Sequence, residues 1–199
     1  MLQDNISINK QVARTREWIL GALIKLMENQ PYEKISILNI TEKAGVARQS
    51  FYRNYESKED ILIKFIDSIF TEFITEAKQI RKDESLNVVY TVLFQVLLRH
   101  KYELQIIEAA SLDYLLYNSF WSYNQFFIQY LFMDTNKTNQ DFDEYFIKYQ
   151  FGGIIAITLE WLQNGMRQDP RELGIIIDKI TQPFRSQESY LPVMLNKIK

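Results

Sequence analysis

The fold of this chain is decided by the segment Ser36-Ile-Leu-Asn-Ile-Thr-Glu-Lys-Ala-Gly-Val-Ala-Arg-Gln-Ser-Phe-Tyr-Arg-Asn-Tyr-Glu-Ser-Lys58. It predicts two short helices, because Gly45 readily takes the left-handed conformation that ends a helix and turns the chain. In the second helix, Phe51 and Tyr55 fall on one side and polar side chains fall on the other. A short helix with hydrogen-bond donors on its outer face is typical of a helix-turn-helix, whose second helix enters the major groove of DNA.

The starts of these helices carry signals of unequal strength. Ser36 is a predicted N-cap of the first helix, because its hydroxyl can accept a hydrogen bond from an orphan amide. Ala47 occupies the corresponding position of the second helix and offers no side-chain acceptor. We therefore expect the second helix to be poorly ordered in the absence of DNA. Ser57 is a predicted N-cap of a longer helix that follows.

Helical periodicity continues through the rest of the chain, and no segment shows a convincing strand pattern. Asp169-Pro170 is a start signal for the last long helix, with an N-cap followed by proline at the first helical position. The sequence predicts an all-α fold of about nine helices. We assign residues 1–58 to a helix-turn-helix DNA-binding domain, residues 58–80 to a bridging fourth helix and residues 81–199 to a second helical domain.

Composition excludes several classes of protein. The chain has no cysteine, which excludes disulfides and thiolate metal sites, and its single histidine, His100, excludes a multi-histidine metal centre. We find no apolar run long enough to span a membrane and no secretory signal, so we expect a cytoplasmic protein that does not bind membranes. Since one histidine allows no plausible Ser/His/Asp set, we predict no enzyme activity, no catalytic residues, no metal and no cofactor.

Charge is unevenly distributed along the chain. Residues 1–58 hold nine Lys and Arg against six Asp and Glu, a net charge of +3, and the remainder carries −5. A basic first part and an acidic body fit a protein whose first part meets DNA phosphates. The alternative is chance, because three charges are a modest excess.

These features resemble those of the TetR family of transcriptional regulators. The resemblance is carried by Ile37, Ile40, Ala44-Gly45-Val46, Ser50-Phe51-Tyr52-Arg53-Asn54-Tyr55, Ser57-Lys58-Glu59 and Leu62. It implies a homodimer that binds a palindromic operator in double-stranded DNA, most often as a repressor, and that a small-molecule effector releases. Two positions depart from the family pattern: Ala47 stands where a hydroxyl residue is common, and Asn54-Tyr55 stands where His-Phe is common.

We predict DNA contacts for eight residues: Arg48, Gln49, Ser50, Tyr52, Arg53, Lys58, Arg14 and Arg16. Arg48 and Gln49 are candidates for base edges, because Arg can bind guanine and Gln can bind adenine through two hydrogen bonds. Ser50 suits a base or a phosphate, while Arg14 and Arg16 suit the flanking backbone or minor groove. The other three suit phosphates, and for Tyr52 and Lys58 the resemblance implies the same. The alternative for each is a solvated surface side chain.

The second domain contains candidates for an effector site and a dimer interface. Its aromatic residues exceed what one apolar stripe requires, so they either pack as an ordinary core or line a cavity for an apolar or aromatic effector. The predicted lining residues are Phe94, Phe120, Tyr123, Phe127 and Tyr149. The resemblance implies a dimer through the last two long helices, and the predicted interface residues are Gly152, Gly153, Leu173, Ile176, Ile177 and Ile180.

Three classes of function are compatible with these patterns to different degrees. A ligand-responsive repressor fits best, and a transcriptional activator or a regulator controlled by a partner protein is the alternative. An enzyme that uses the aromatic region lacks a plausible catalytic set.

Overall fold

A computed structural model of the chain describes residues 2–81, 84–123 and 140–185. Within these ranges it contains nine α-helices, which confirms the predicted all-α fold. The helices are α1 Leu2–Met27, α2 Ile37–Ala44, α3 Arg48–Asn54, α4 Lys58–Ala77, α5 Leu86–Arg99, α6 Lys101–Ala109, α7 Asp113–Ser122, α8 Gln140–Gln163 and α9 Pro170–Arg185. A short 3-10 helix, Tyr32–Lys34, lies between α1 and α2.

The predicted helix ends around the central segment are confirmed. Ser36 caps α2 in a reciprocal capping box, in which the Asn39 amide donates to Ser36 Oγ at 3.1 Å and the Ser36 amide donates to Asn39 Oδ1 at 3.0 Å. Gly45 ends α2 with a φ of 66°, in the left-handed region. Before α4, the Asp60 amide donates to Ser57 Oγ at 3.1 Å. The turn between α2 and α3 is therefore specified by local chemistry.

The chain divides into two compact units. The first contains Met1–Ser68 and Tyr102–Ser119, and the second contains Ile69–Lys101 and Phe120–Lys199. The boundary between Ser68 and Ile69 falls within α4, so each unit contains part of this helix. The structure groups Tyr102–Ser119 with the first unit, whereas the sequence-based boundary assigned these residues to the second domain.

The core of the first unit holds the central segment in place. Ile19 and Leu23 of α1, Ile40 of α2 and Phe51 of α3 are fully buried. Tyr55, just after α3, is 5% exposed. Burial of these side chains contributes about 1.5–3 kcal/mol each relative to exposure, which stabilises α3 although its seven residues are too few for an isolated helix.

In the second unit, α5 and α9 lie in close contact. A Cβ atom at Gly174 of α9 would lie 2.7 Å from the carbonyl oxygen of Asn87 and 2.9 Å from the amide nitrogen of Thr91. Only glycine permits this approach of the two backbones. None of the helices in the described ranges combines the length and the hydropathy that a membrane span requires.

Candidate nucleic-acid interface

The outer face of α3 presents the predicted DNA-reading side chains. Arg48, Gln49, Tyr52 and Arg53 are exposed, and Ser50 is half-buried. Tyr52 is an exposed aromatic residue, with 50% of its surface accessible. The face therefore combines cationic, amide and hydroxyl donors, which is the chemistry that phosphate and base-edge contacts require.

Phe51 fixes which face of α3 points outward. Its ring is fully buried and lies 5.4 Å, edge-on, from the ring of Tyr52 and 5.9 Å from that of Tyr55. Burial raises the pKa of Tyr55 to about 12; the charge of Arg16 acts to lower this pKa and the charge of Asp60 acts to raise it. The hydroxyl of Tyr55 is therefore protonated at neutral pH. Rotation of α3 would expose Phe51, so the polar face stays outward.

Two contacts within α3 orient its long polar side chains in the absence of DNA. Arg48 Nη2 donates to Tyr52 Oη at 3.2 Å, and the Arg48 guanidinium lies 5.6 Å from the centre of the Tyr52 ring. Arg53 Nη2 donates to Ser50 Oγ at 2.9 Å. Such pairs reduce the side-chain entropy that binding would otherwise remove.

Asn54, the last residue of α3, joins this helix to its neighbours. Its Nδ2 donates to the carbonyl of Ser50 at 2.8 Å, and its Oδ1 accepts from Arg16 Nε of α1 at 3.1 Å. Its own carbonyl accepts from Lys64 Nζ of α4 at 3.0 Å. Asn54 thus satisfies a carbonyl at the end of α3 and links the helix to α1 and α4.

The role of Asn54 was missed from the sequence, although its position departs from the family pattern. Arg16 was a predicted DNA contact, and the structure places it beside the end of the recognition helix, where its Nε is bound to Asn54. The Arg14 guanidinium lies 5.7 Å from the centre of the Trp18 ring, and both residues are exposed on α1.

The start of α3 has the predicted weakness. Ala47 takes the N-cap position with φ −67° and ψ 143°, and no side chain caps the helix. Its carbonyl accepts from the amides of Ser50 and Phe51 at 2.8 and 3.2 Å. The structure shows α3 as a formed helix that is anchored by Phe51 and, at its other end, by Asn54.

Lys58, a predicted phosphate contact, is engaged within the protein. Its Nζ donates to the carbonyls of Tyr32 at 2.6 Å, Glu33 at 3.3 Å and Ile35 at 2.9 Å. The ammonium also lies 4.3 Å from the centre of the Tyr32 ring. Its side chain is therefore directed at the segment between α1 and α2.

The predicted effector-lining residues occupy different environments. Phe94 and Phe120 are fully buried; Phe94 packs edge-on against Trp161 at 5.1 Å, and Phe120 packs against Phe70 at 4.8 Å. Tyr123 stacks on Phe70 at 5.1 Å. Tyr149 is 69% exposed, so it lies on the surface of α8 because its helical position points away from the core. Phe127 lies outside the described residues.

One buried amide in this part of the chain lacks a partner. Gln150 is 7% exposed, and its Nε2 has no hydrogen-bond partner among the described residues. It precedes Phe151, whose ring lies 5.5 Å from that of Phe120. Leaving such a buried donor unsatisfied costs about 1–3 kcal/mol.

The six predicted interface residues separate into two groups. Leu173 and Ile177 are 4% and 1% exposed, so they lie on the buried face of α9 and belong to the core of the second unit. Ile176 and Ile180 are 40% and 54% exposed. Gly152 and Gly153 are also exposed, and a Cβ atom at either position would meet nothing within 4 Å.

The described residues contain no group of three or more His, Cys, Asp or Glu side chains that could hold a metal ion. Arg99 and His100 instead contact carboxylates of α4. Arg99 binds Glu76 at 2.6 and 2.8 Å and also binds Glu72, and His100 Nε2 lies 2.8 Å from Glu72 Oε2. The Arg99 guanidinium holds the pKa of Glu76 below its usual value. These charges join α4 to the end of α5.

Comparison with known proteins identifies the family. The family described as "Bacterial regulatory proteins, tetR family" matches residues 19–64, and the one described as "Transcriptional regulator C-terminal region" matches residues 84–183. The HTH-type transcriptional regulator SAR2658 of Staphylococcus aureus (strain MRSA252) is 30% identical over 139 residues, which span 67% of this chain and 74% of that protein.

Solved structures share the fold at low sequence identity. The dihydroxyacetone kinase operon activator DhaS is 19% identical, with a TM-score of 0.61, over 85% of this chain and 94% of its own. Thermus thermophilus FadR, a repressor solved in complex with lauroyl-CoA, is 18% identical, with a TM-score of 0.51, over 89% of this chain and 97% of its own. The chain belongs to the TetR family of transcriptional regulators, and α2 and α3 form its DNA-binding helix-turn-helix.

Proposed function

We propose that this regulator is a homodimeric repressor that binds a palindromic operator and is released by a small apolar or aromatic effector. The observation that carries the proposal is the outer face of α3, where Arg48, Gln49, Tyr52 and Arg53 are exposed while Phe51 is fully buried. A fixed helix with donors on its free face is suited to reading a major groove.

We assign a DNA contact to each side chain from its hydrogen-bonding chemistry and charge. Arg48 and Gln49 lie in the first turn of α3 and would contact base edges, with Ser50 at a base or phosphate. Tyr52, Arg53 and Lys58 would contact phosphates, and Arg14 and Arg16 would reach the flanking backbone or minor groove. Phosphate contacts set affinity and its salt dependence, whereas base contacts set sequence preference.

An exposed apolar face supports the homodimer. On α8, Tyr145 and Tyr149 are 72% and 69% exposed, and Gly152 follows at helical spacing with open space beyond it. On α9, Ile176 and Ile180 lie one turn apart and are also exposed. Large exposed apolar side chains at such spacing mark an interaction surface, and burying the same face of a second copy satisfies two-fold symmetry.

The effector site is proposed for the interior of the second unit, near the Phe70–Phe120–Phe151 aromatic cluster. The unsatisfied Nε2 of Gln150 would bind a polar atom of the effector, and the rings would cover its apolar part. Phe94 and Tyr123 remain proposed neighbours of this site. Because a solved protein of the same fold holds lauroyl-CoA, acyl-CoA esters belong in the first panel of test compounds.

DNA selection with the full-length protein tests the proposal. The protein is incubated with a random duplex library, and bound sequences are recovered and sequenced. We expect an enriched inverted repeat, weakened about tenfold or more by Arg48→Ala with relaxed preference at one base pair of each half-site. Tyr52→Ala should weaken all sequences similarly. Arg171→Ala, an exposed arginine of α9, is the matched control. If both α3 variants bind like the wild type, the proposed reading mode is wrong.

Oligomeric state and the sign of regulation need separate measurements. Sedimentation should show a dimer that Ile180→Asp converts to a monomer. A reporter gene carrying the enriched repeat should be silenced by the protein and released by the effector. Activation of the reporter would instead support the activator alternative, which the name of the structural relative DhaS favours. Absence of any response to small molecules would favour control by a partner protein.

A further inference from the structure

Lys64 of α4 brings a cation to the carboxyl end of α3. Its Nζ donates to the carbonyl oxygen of Asn54, the last residue of α3, at 3.0 Å, and to Asp60 Oδ2 at 2.8 Å. The ammonium also lies 5.3 Å from the centre of the Tyr55 ring. Lys64 therefore contacts both the end of α3 and the residue that follows it, although it comes ten residues later in the chain than Asn54.

The carboxyl end of a helix favours such a contact. Its last carbonyl groups have no partner within the helix, and the helix dipole places a partial negative charge there. A lysine that donates to one of these carbonyls satisfies the acceptor and stabilises the dipole. Helix α3 has only seven residues and no side chain caps its start, so a contact at its end has a large effect on its order.

Asp60 orients the Lys64 side chain toward α3. Its Oδ2 accepts from the Glu56 amide at 2.9 Å, which fixes the carboxylate at the start of α4, and it accepts from Lys64 Nζ one helical turn later. The side chains of Lys64 and Asp60 are 44% and 20% exposed. Because an ion pair this exposed contributes little to global stability, we expect the main consequence of Lys64 at the carbonyl of Asn54.

The position of Phe51 explains how the end of α3 affects its start. Phe51 is the buried residue of α3 and lies midway between Arg48 and Asn54. A helix of this length is about 10 Å long, and tilting it about its central anchor moves both of its ends. Base contacts require the reading side chains to be placed within about 0.5 Å. A displacement at Asn54 would therefore disturb base contacts made from the first turn.

We propose that Lys64 is a positioning residue that fixes the carboxyl end of α3 and thereby the orientation in which its first turn meets base edges. The proposal rests on the DNA binding proposed above. Loss of Lys64 should affect binding to a specific sequence more than binding to any sequence, because a tilted α3 loses base contacts while the exposed cations of the unit still meet phosphates.

Amide hydrogen exchange of the free protein tests the structural step. Lys64→Met removes the cation and keeps an unbranched side chain that suits a helix. We expect residues 48–55 to exchange about fivefold faster than in wild type, as the loss of a cation at a helix end would cause, with the rest of the first unit unchanged. Lys43→Met is the charge-matched control, because Lys43 is an exposed lysine in the last turn of α2 that lines a groove with Tyr102 of α6. It should leave exchange of α3 unchanged.

Binding to two duplexes tests the functional step. The selected inverted repeat and a scrambled duplex of equal length are compared over a series of salt concentrations. We expect Lys64→Met to lower the ratio of the two affinities about fivefold, while the slope of log affinity against log salt matches wild type. Lys64→Arg keeps the charge and the N–H donors, so it should restore both the affinity ratio and the slow exchange of α3. Lys43→Met should have the affinity ratio of wild type.

Other roles of Lys64 give different results. A phosphate contact would weaken binding of Lys64→Met to both duplexes together, reduce the magnitude of the salt slope by about 0.9 for each subunit and leave exchange of α3 unchanged. A merely structural role would speed exchange throughout the first unit and leave the ratio of the two affinities unchanged. Either result overturns the proposal, and so does wild-type exchange of residues 48–55 in Lys64→Met.

A second variant keeps the test decisive if Lys64→Met does not fold. Lys64→Gln removes the charge and keeps two N–H donors. We expect residues 48–55 to exchange faster than in wild type, by less than about fivefold, with an unchanged salt slope. Exchange equal to wild type would overturn the positioning role. If wild-type protein enriches no sequence and binds no duplex, the proposed function fails, whereas exchange in the free protein still decides whether Lys64 fixes the end of α3.

Discussion

The uncapped start of α3 makes a quantitative prediction about Ala47→Ser. Ala47 already has the extended conformation of an N-cap residue, with φ −67° and ψ 143°, so a serine hydroxyl could accept from the amide of Gln49 or Ser50 without moving the backbone. A serine cap stabilises a helix by about 1 kcal/mol relative to alanine. If α3 opens locally, this free energy reduces the open population about fivefold.

Amide hydrogen exchange measures this effect directly on the free protein. We expect residues 48–54 to exchange about fivefold more slowly in Ala47→Ser than in wild type, with other segments unchanged. Ala13→Ser, an exposed position inside α1, is the control and should give no gain, because serine is a poorer helix former than alanine. Equal exchange of α3 in both proteins would refute the reasoning, since it would show that the missing cap does not limit the order of this helix.

Three further substitutions test other contacts. Asn54→Ala removes the bonds to Arg16 and to the end of α3, and it should destabilise the first unit by about 1–2 kcal/mol in denaturant unfolding and weaken operator binding. Gly174→Ala places a Cβ atom against the backbone of α5 and should cost about 1–3 kcal/mol, measured by thermal unfolding. Burial raises the pKa of Asp67, so ionisation of this carboxyl destabilises the folded wild type as pH rises through that pKa. Asp67→Asn has no carboxyl to ionise at this position, and its stability relative to wild type should therefore increase over the same pH range, measured by urea unfolding at several pH values.

Each of these has an outcome that would contradict it. Unchanged operator affinity in Asn54→Ala would mean that α3 does not depend on its link to α1. Gly21→Ala is the control for Gly174→Ala, because a Cβ atom at this exposed position of α1 would meet nothing within 4 Å, and equal destabilisation by both would exclude steric contact as the cause. A stability difference between Asp67→Asn and wild type that stays constant with pH would show that ionisation of Asp67 carries no cost.

Local signals in the sequence predicted much of the fold. Ser36, Gly45 and Ser57 each act on residues within a few positions, and the structure confirms each of them. The outward face of α3 was also predictable, because the positions of Phe51 and Tyr55 determine which side is buried. The all-α fold follows from periodicity of the same kind.

Contacts between distant residues could not be predicted in this way. Lys58 was interpreted from its position at a helix start, but its partners lie 23 to 26 residues earlier in the chain. Arg16 and Asn54 are 38 residues apart. The glycines show the same limit. The sequence predicted a close helix contact at Gly152 and Gly153, but a Cβ atom at either position would meet nothing within 4 Å. The close contact is at Gly174, where α9 packs on α5.

These distant contacts constrain how the proposed effector could release DNA. Lys58 joins the entry of α2 to the start of α4, and Asn54 joins the end of α3 to α1 and α4, so the helix-turn-helix is tied to its own unit at both ends. Distorting α3 alone would break several of these bonds at about 0.5–1.5 kcal/mol each, and the coupling energy of an effector is typically only about 1–3 kcal/mol. Displacing the unit as a whole breaks none of them. We therefore expect effector binding to leave exchange in residues 37–54 unchanged, and faster exchange there would show that the motif itself is deformed.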